Sequence, residues 1–257
     1  MNKALIEGLV VEWIKEAAQK IKDSFQNELE IDQKSGRNDL VTNMDKETET
    51  FFVEKIKEHF PDHRVFGEEG IAEKLEDLAG VVWIIDPIDG TLNFVLQQRD
   101  FAISIAIYVD GVGELAYIYD VEREELYTGE RGKGAYLNGK KIPPLDKNKT
   151  LDDLLLIINQ STLYHYPELR KAISRSRGLR LQGAATLEFM SVATGRAGAY
   201  VSRTLQPWDI AAGKIIAGEI GAIVTRMDGT EIDMLTGGTI VVASPKIHEE
   251  LVQNYLS

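Results

Sequence analysis

Val81-Val82-Trp83-Ile84-Ile85-Asp86-Pro87-Ile88-Asp89-Gly90-Thr91 runs from an apolar, largely β-branched stretch straight into two aspartates three positions apart. The apolar run reads as a buried strand and the polar hexapeptide as the loop at its carboxyl end. Two carboxylates at such a junction repel each other and lose hydration, so they need water or a counter-ion. A bound cation is the counter-ion this pattern points to. Hard oxygen ligands on a stiff loop suit Mg²⁺, which takes one or two carboxylates and leaves its other positions to water and phosphate. Pro87 fixes one backbone torsion so that both acids can converge. Gly90 allows a close approach of backbone and ligand, and Thr91 offers a hydroxyl and an N–H at an expected helix start. The competing reading is an Asx-turn with one solvated and one capping aspartate.

Two further acid-bearing turns stand at element junctions. Arg64-Val65-Phe66 is a brief strand that runs into Gly67-Glu68-Glu69-Gly70. Gln206-Pro207-Trp208-Asp209 places Asp209 in the first turn of a helix whose next residues are small, Ala211, Ala212 and Gly213. Taken singly, the first is a solvated turn and the second a helix cap. Together the three turns supply enough carboxylates to hold two or three Mg²⁺ ions around a phosphate.

Working outward, Leu5, Leu9, Trp13, Ala17, Ile21 and Phe25 recur every four positions, with Ile6, Val10, Ile14 and Ala18 beside them. That spacing predicts a long amphipathic helix. A polar turn over Lys34-Ser35-Gly36-Arg37-Asn38-Asp39 follows, then the extended Leu40-Val41-Thr42. A second helix opens at Asn43-Met44-Asp45, turns Phe51, Phe52 and Ile56 inward, and stops near Pro61. From Phe101 the pattern becomes strands: Phe101, Ile103, Ile105, Ile107 and Val109 alternate with Ala102, Ser104 and Ala106, one face bulky and the other small. Turns at Asp110-Gly111 and Asn138-Gly139 make this an antiparallel meander. Beyond residue 150, helices over Tyr164–Arg175, Thr186–Thr194 and Trp208–Ile220 alternate with strands at Leu154–Ile158, Leu179–Leu181, Ala199–Val201, Ala222–Thr225 and Ile240–Ala243, before a last helix after Pro245. The expected class is α+β (mixed α/β). It divides into a sub-domain over 1–150, carrying the antiparallel sheet and most candidate ligands, and an α/β sub-domain over 151–257. The two form one compact unit.

The bulk composition narrows the function classes. The chain has 257 residues, no cysteine and a formal charge of −12. Absence of cysteine removes thiolate metal sites and thiol nucleophiles and fits a cytoplasmic protein. The acidity argues against direct nucleic-acid binding, while allowing phosphate substrates whose charge is met by cations. No apolar run approaches the length of a membrane span, and the first twenty residues read as an amphipathic helix rather than a signal peptide.

At this point three segments resemble one family. Gly67-Glu68-Glu69, Trp83–Phe94 and Trp208-Asp209-Ile210-Ala211-Ala212-Gly213 are similar, in order and spacing, to the inositol monophosphatase family of Mg²⁺-dependent, lithium-sensitive phosphatases. The likeness covers nearly the whole chain, and the central segment is its most specific part. It implies a layered αβαβα sandwich of the inositol monophosphatase and fructose-1,6-bisphosphatase type, usually a homodimer. It implies that Glu68, Asp86 and the carbonyl of Ile88 hold a first metal, that Asp86, Asp89 and Asp209 hold a second, and that a third, weaker ion sits near Glu68 through water. By the same resemblance Gly90 and Thr91 donate N–H groups to the phosphate, and Asp45 pairs with Thr91 to orient the attacking water. Lys34 falls where members often carry a lysine near the third metal. Catalysis is then positioning and charge neutralisation, with in-line attack of water and no covalent phosphoenzyme. None of the four histidines lies in a motif.

Departures bear on the substrate. Several members carry, seven residues before the metal-binding aspartate, a glutamate that bonds inositol hydroxyls. Here that position is Ser202, with Arg203 beside it, and Leu96 replaces a common histidine. These changes leave the metal ligands intact and point to a larger or more anionic alcohol, although Ser202 also reads as a plain loop residue. The expected activity is hydrolysis of inositol monophosphate or a related small phosphate ester. The alternatives are preference for fructose 1,6-bisphosphate, NADP or 3′-phosphoadenosine 5′-phosphate, or service as a protein-binding regulator.

Overall fold

Small side chains set how closely the layers of this molecule meet. The structure, a computed structural model, describes residues 2–26, 29–36, 39–71 and 74–256. The chain opens with α1 (Lys3–Ser24), a hairpin of β1 (Ile31–Gly36) and β2 (Asp39–Thr42), and α2 (Asn43–His59). A seven-stranded sheet follows: β3 (Arg64–Gly67), β4 (Val81–Asp89), then after the short α3 (Thr91–Gln97) β5 (Ala102–Val109), β6 (Val112–Asp120), β7 (Glu125–Glu130), β8 (Gly134–Leu137) and β9 (Lys140–Lys141). All neighbours are antiparallel except β3 and β4, which run parallel. The rest comprises β10 (Leu156–Ile158), α4 (Gln160–His165), α5 (Leu169–Arg175), β11 (Leu179–Arg180), α6 (Ala185–Ala193), β12 (Ala199–Leu205), α7 (Pro207–Glu219), β13 (Ile223–Thr225), β14 (Gly238–Ala243) and α8 (Pro245–Tyr255). Its five strands form a second sheet in the order β11-β10-β12-β14-β13.

Three apolar cores join these elements into the expected αβαβα sandwich. Ile6, Val10, Trp13, Ile14 and Phe52 of α1 and α2 cover one face of the first sheet, against Trp83, Ile85, Ile103, Ile105 and Ile107. The opposite face presents Ala102, Ala106 and Ala116, and there α6 and α7 lie between the two sheets. The alternation of bulky and small residues along β5 therefore tells its two faces apart, since a helix axis can approach only where Cβ is the largest group. Gly213 on α7 takes this furthest: a Cβ there would lie 2.5 Å from the ring of Phe189 on α6. Leu169 and Ala172 of α5, with Ile247 and Leu251 of α8, close the outer face of the second sheet.

Four expectations are adjusted. The helix read over Tyr164–Arg175 is two, α4 and α5, because Pro167 has no N–H to donate and Tyr166 leaves helical geometry at φ −121°, ψ 73°. In α1 the inward stripe is Ile6, Val10, Trp13, Ile14, Ala17, Ala18 and Ile21, whereas Leu5 is half exposed. Lys34 belongs to β1, and the turn expected around it has its central residues, Arg37 and Asn38, outside the described residues. Finally, β4 continues through Asp89, with its register to β5 shifted between Asp86 and Asp89. Pro87 cannot donate to the ladder, so the strand bulges where the two acids stand. No helix among the described residues is long and apolar enough to cross a membrane.

Candidate metal centre

The parallel pairing of β3 and β4 brings two of the acid turns to one edge of the first sheet. Gly67 is in register with Ile85, so Glu68, just past the end of β3, falls beside Asp86 within β4. The third turn arrives with α7, which crosses the small face of that sheet and directs its first turn at the same edge. Asp86, Asp89 and Asp209 each offer an oxygen, and these oxygens all lie within 4.8 Å of one another. Asp86 and Asp89 are buried, and Asp209 is half buried.

Each acid is held by backbone donors. Ile88 N–H donates to Asp86 Oδ1 at 3.1 Å. Ala185 N–H donates to Asp89 Oδ1 at 3.0 Å, and Thr186 N–H and hydroxyl donate to Oδ2 at 2.7 and 2.5 Å. Gln206 N–H donates to Asp209 Oδ2 at 2.7 Å, closing a capping box at the start of α7. These bonds do not offset the crowding. Burial, followed by the charges of Glu68, Asp89 and Asp209, lifts the Asp86 carboxyl well above its ordinary value. Burial raises Asp89 to about 6 despite its three donors, and burial with the charge of Asp89 lifts Asp209 well above the usual range. Anions so placed call for positive charge.

The other predicted residues divide. Glu68 stands outside the tight triad: its Oε1 accepts from the Lys34 ammonium at 2.8 Å, and Lys34 also donates to Glu69 at 2.6 Å. Burial opposes the charge on Lys34, but Glu68 and Glu69 outweigh it and raise its pKa. Asp45 is buried in the first turn of α2, where Oδ2 accepts from Thr42 N–H and hydroxyl at 2.7 and 2.6 Å. The Thr91 hydroxyl lies 3.0 Å from Asp45 Oδ1 and 3.1 Å from the carbonyl of Ile88, two acceptors for a single proton. Gly90, at φ +90°, makes the turn from β4 into α3, and a Cβ there would come within 2.9 Å of the Ala184 methyl.

Ser202 is buried on β12, 3.4 Å from Asn159 Nδ2, while Arg203 donates its backbone N–H to the Thr162 hydroxyl at 2.9 Å. Arg203 Nε is buried and has no partner among the described residues. Among the described residues, neither forms a hydrogen bond or ion pair with the three aspartates.

Three supporting residues escaped the sequence reading. Glu49 on α2 is fully buried and accepts from Glu69 N–H at 2.7 Å and Ile71 N–H at 2.9 Å, so it shapes the turn bearing Glu68. Its signal was an acid on the same helix stripe as Phe52, Val53 and Ile56. Glu188 is an acid within the apolar run of α6. Thr186 carries no local signal, since it meets Asp89 from 97 positions away.

A sequence profile described as the inositol monophosphatase family matches residues 3–256. The chain is 44% identical over 260 aligned residues to an inositol-1-monophosphatase of Bacillus subtilis (strain 168), spanning 99% of this chain and 98% of that one. It is 36% identical over 255 residues to Nus factor SuhB of Vibrio cholerae serotype O1, covering 96% and 94% respectively. A solved IMPase/NADP phosphatase complexed with Mg²⁺ and phosphate superimposes with a TM-score of 0.91 at 32% identity, covering 98% of this chain and 95% of that one.

Proposed function

The chain belongs to the inositol monophosphatase family, and from that premise we propose that it is a Mg²⁺-dependent phosphomonoesterase acting on inositol monophosphate or related small phosphate esters. The observation that carries the reading is the triad of Asp86, Asp89 and Asp209 within 4.8 Å. A set made only of carboxylate oxygens, with neither histidine nor cysteine in it, fits a hard divalent cation. Glu68, Asp86 and the Ile88 carbonyl would hold one ion, and Asp86, Asp89 and Asp209 a second. When bound there, Mg²⁺ would supply positive charge to the phosphate oxygens and acidify water next to the phosphorus.

The chain's own groups do the remaining work. Asp45 draws the Thr91 hydroxyl proton toward itself, which leaves a Thr91 lone pair to accept a hydrogen bond from the attacking water and so to orient it. Gly90 and Thr91 would offer backbone N–H groups to the phosphate. Asp209 comes from the 151–257 half and the other acids from the 1–150 half, so the site works only while the two halves act as one unit. Ser202 and Arg203 would lie toward the alcohol, and the homodimeric state and cytoplasmic location of the family are carried over with the same reading.

The name of the IMPase/NADP phosphatase supports a substrate range broader than inositol monophosphate. Mg²⁺-dependent phosphate release from inositol 1-phosphate, fructose 1,6-bisphosphate, NADP and 3′-phosphoadenosine 5′-phosphate, with and without Li⁺, tests the proposal. The expected result is turnover that requires Mg²⁺ and falls in Li⁺, while turnover indifferent to both refutes it. The similarity to Nus factor SuhB favours one second reading, a protein-binding regulator on the same fold. Asp89→Asn separates the two: a phosphatase loses turnover, whereas a regulator keeps its cellular role.

A further inference from the structure

Between Gln182 and Thr186 the backbone runs past two buried acids. Gln182 and Gly183 donate their N–H groups to Glu188 Oε1, at 2.5 and 3.1 Å. Ala185 and Thr186 donate theirs to Asp89, at 3.0 and 2.7 Å. The residue before α6, Ala184, makes no side-chain cap, so the helix start is held by Asp89 from outside and by Glu188 of the helix's own first turn. We propose that Glu188 is a positioning residue of the metal centre: by gripping Gln182 and Gly183 it fixes the start of α6, and the fixed helix start aims Asp89 at the cation. The inference rests on the metal-dependent reading above and adds to it a residue that touches neither metal nor substrate.

Burial makes a bystander role expensive. Glu188 is 1% exposed, between Leu187 and Phe189 in the layer shared by the two sheets. Its Oε2 has no partner among the described residues. A carboxyl kept at such a cost, with one oxygen bonded twice and the other not at all, is accounted for by the two N–H groups it orders. Burial pushes its pKa up to about 7, against which the two N–H donors work. Glutamine keeps the shape of the carboxyl and its acceptor oxygen, and that supplies a conservative variant.

The segment is clamped from its other sides as well. Asn93 Nδ2 donates at 2.8 Å to both the Gln182 and the Asp100 carbonyls, tying the segment to α3. The Ser191 hydroxyl donates to the Gln182 side-chain oxygen at 3.0 Å. Asp89, in turn, accepts twice at Oδ2 and once at Oδ1 from α6, which leaves a lone pair of Oδ1 for a ligand. Its direction is therefore only as firm as the Gln182–Thr186 backbone, and supports of this kind typically change metal affinity by roughly 10–100-fold when removed.

The experiment is calorimetric titration of Mg²⁺ into the full chain and three variants, with the Mg²⁺ dependence of turnover beside it. Glu188→Met keeps the bulk and removes the acceptor; its Mg²⁺ dissociation constant is expected to rise about tenfold. Glu188→Gln keeps the acceptor and is expected to stay within about twofold of the parent. Turnover by the methionine variant should return at high Mg²⁺ with an unchanged KM, which loss of fold or of substrate contact would not give. A methionine variant that binds Mg²⁺ like the parent overturns the inference, as does a glutamine variant that loses affinity as far as methionine does. Should Glu188→Met not fold, Glu188→Asp draws the acceptor back by one methylene; a rise of about threefold or more supports the inference and an unchanged constant overturns it. A parent chain that binds no Mg²⁺ at all refutes the metal reading itself, a result distinct from failure of the Glu188 role alone.

Discussion

Replacing Asp209 by asparagine should stabilise the metal-free protein and weaken its response to Mg²⁺, two effects of opposite sign from one atom change. Asp209 faces Asp86 and Asp89 with oxygens no more than 4.8 Å apart. At that separation, with an effective dielectric constant of about 20, each fully ionised pair repels by about 3 kcal/mol. The protein avoids part of this by holding protons, since burial and neighbouring charge raise all three carboxyls. The cost that remains near neutral pH is then about 1–3 kcal/mol, and a permanent amide removes it. The amide oxygen can still accept from Gln206 N–H, so the cap of α7 survives. For a chain of this length the gain corresponds to a rise in Tm of about 2–8 °C in EDTA. Saturating Mg²⁺, at roughly a hundred times its dissociation constant, stabilises the parent by about 2.7 kcal/mol. The variant should retain less than half of that. Thermal unfolding of both proteins in EDTA and in Mg²⁺ gives the four numbers needed. An Asp209→Asn protein no more stable than the parent in EDTA, and equally stabilised by Mg²⁺, would refute the idea that these carboxylates repel one another in wait of a cation.

Two further outcomes follow from packing and burial. Gly213→Ala should lower stability by about 1–3 kcal/mol in a denaturant titration, because the new methyl would lie 2.5 Å from the Phe189 ring and the crowding exceeds the roughly 1 kcal/mol gained in helix propensity; a more stable variant would mean that Phe189 yields freely. Glu188, raised by burial from 4.5 to about 7, binds its proton more tightly folded than unfolded. The folded state is therefore favoured below the unfolded value and loses that advantage as pH rises from about 4.5 to about 7, by up to about 3 kcal/mol. Glu188→Gln should flatten this slope in metal-free unfolding curves, and an identical pH profile for parent and variant would show that folding leaves the carboxyl's pKa unchanged.

How far the chain could be read in advance depended on whether a feature leaves a local trace. The alternation along Ile103, Ile105 and Ile107 against Ala102 and Ala106 was visible because strand faces repeat every two residues, and it sorted the two faces correctly. The break at Pro167 was also written in the sequence, yet the helix read over Tyr164–Arg175 ran straight across it. Leu5 was assigned to the inward stripe of α1 because a four-residue count drifts from a period of 3.6, and the structure turns Leu5 outward.

The site shows the same division. Carboxylates at the mouths of apolar strands contradict their surroundings locally, so Glu68, Asp86, Asp89 and Asp209 could be singled out one turn at a time. That Asp86, Asp89 and Asp209 converge within 4.8 Å was decided by the bulge in β4 between the two acids and by α7 crossing the small face of the sheet, while the parallel register of β3 on β4 set Glu68 beside them. Ser202 and Arg203 were legible as departures, but the structure sets the Ser202 hydroxyl beside Asn159 and ties only the backbone N–H of Arg203 to Thr162. Least legible were the donors that hold Asp89 and Glu188. Almost every residue carries a backbone N–H, and only the tertiary structure selects which four of them, at Gln182, Gly183, Ala185 and Thr186, meet a buried acid. The sequence by itself determined which side chains carry the charge; the fold decided what each of them faces, because the partners come from distant turns and from backbone that has no residue identity.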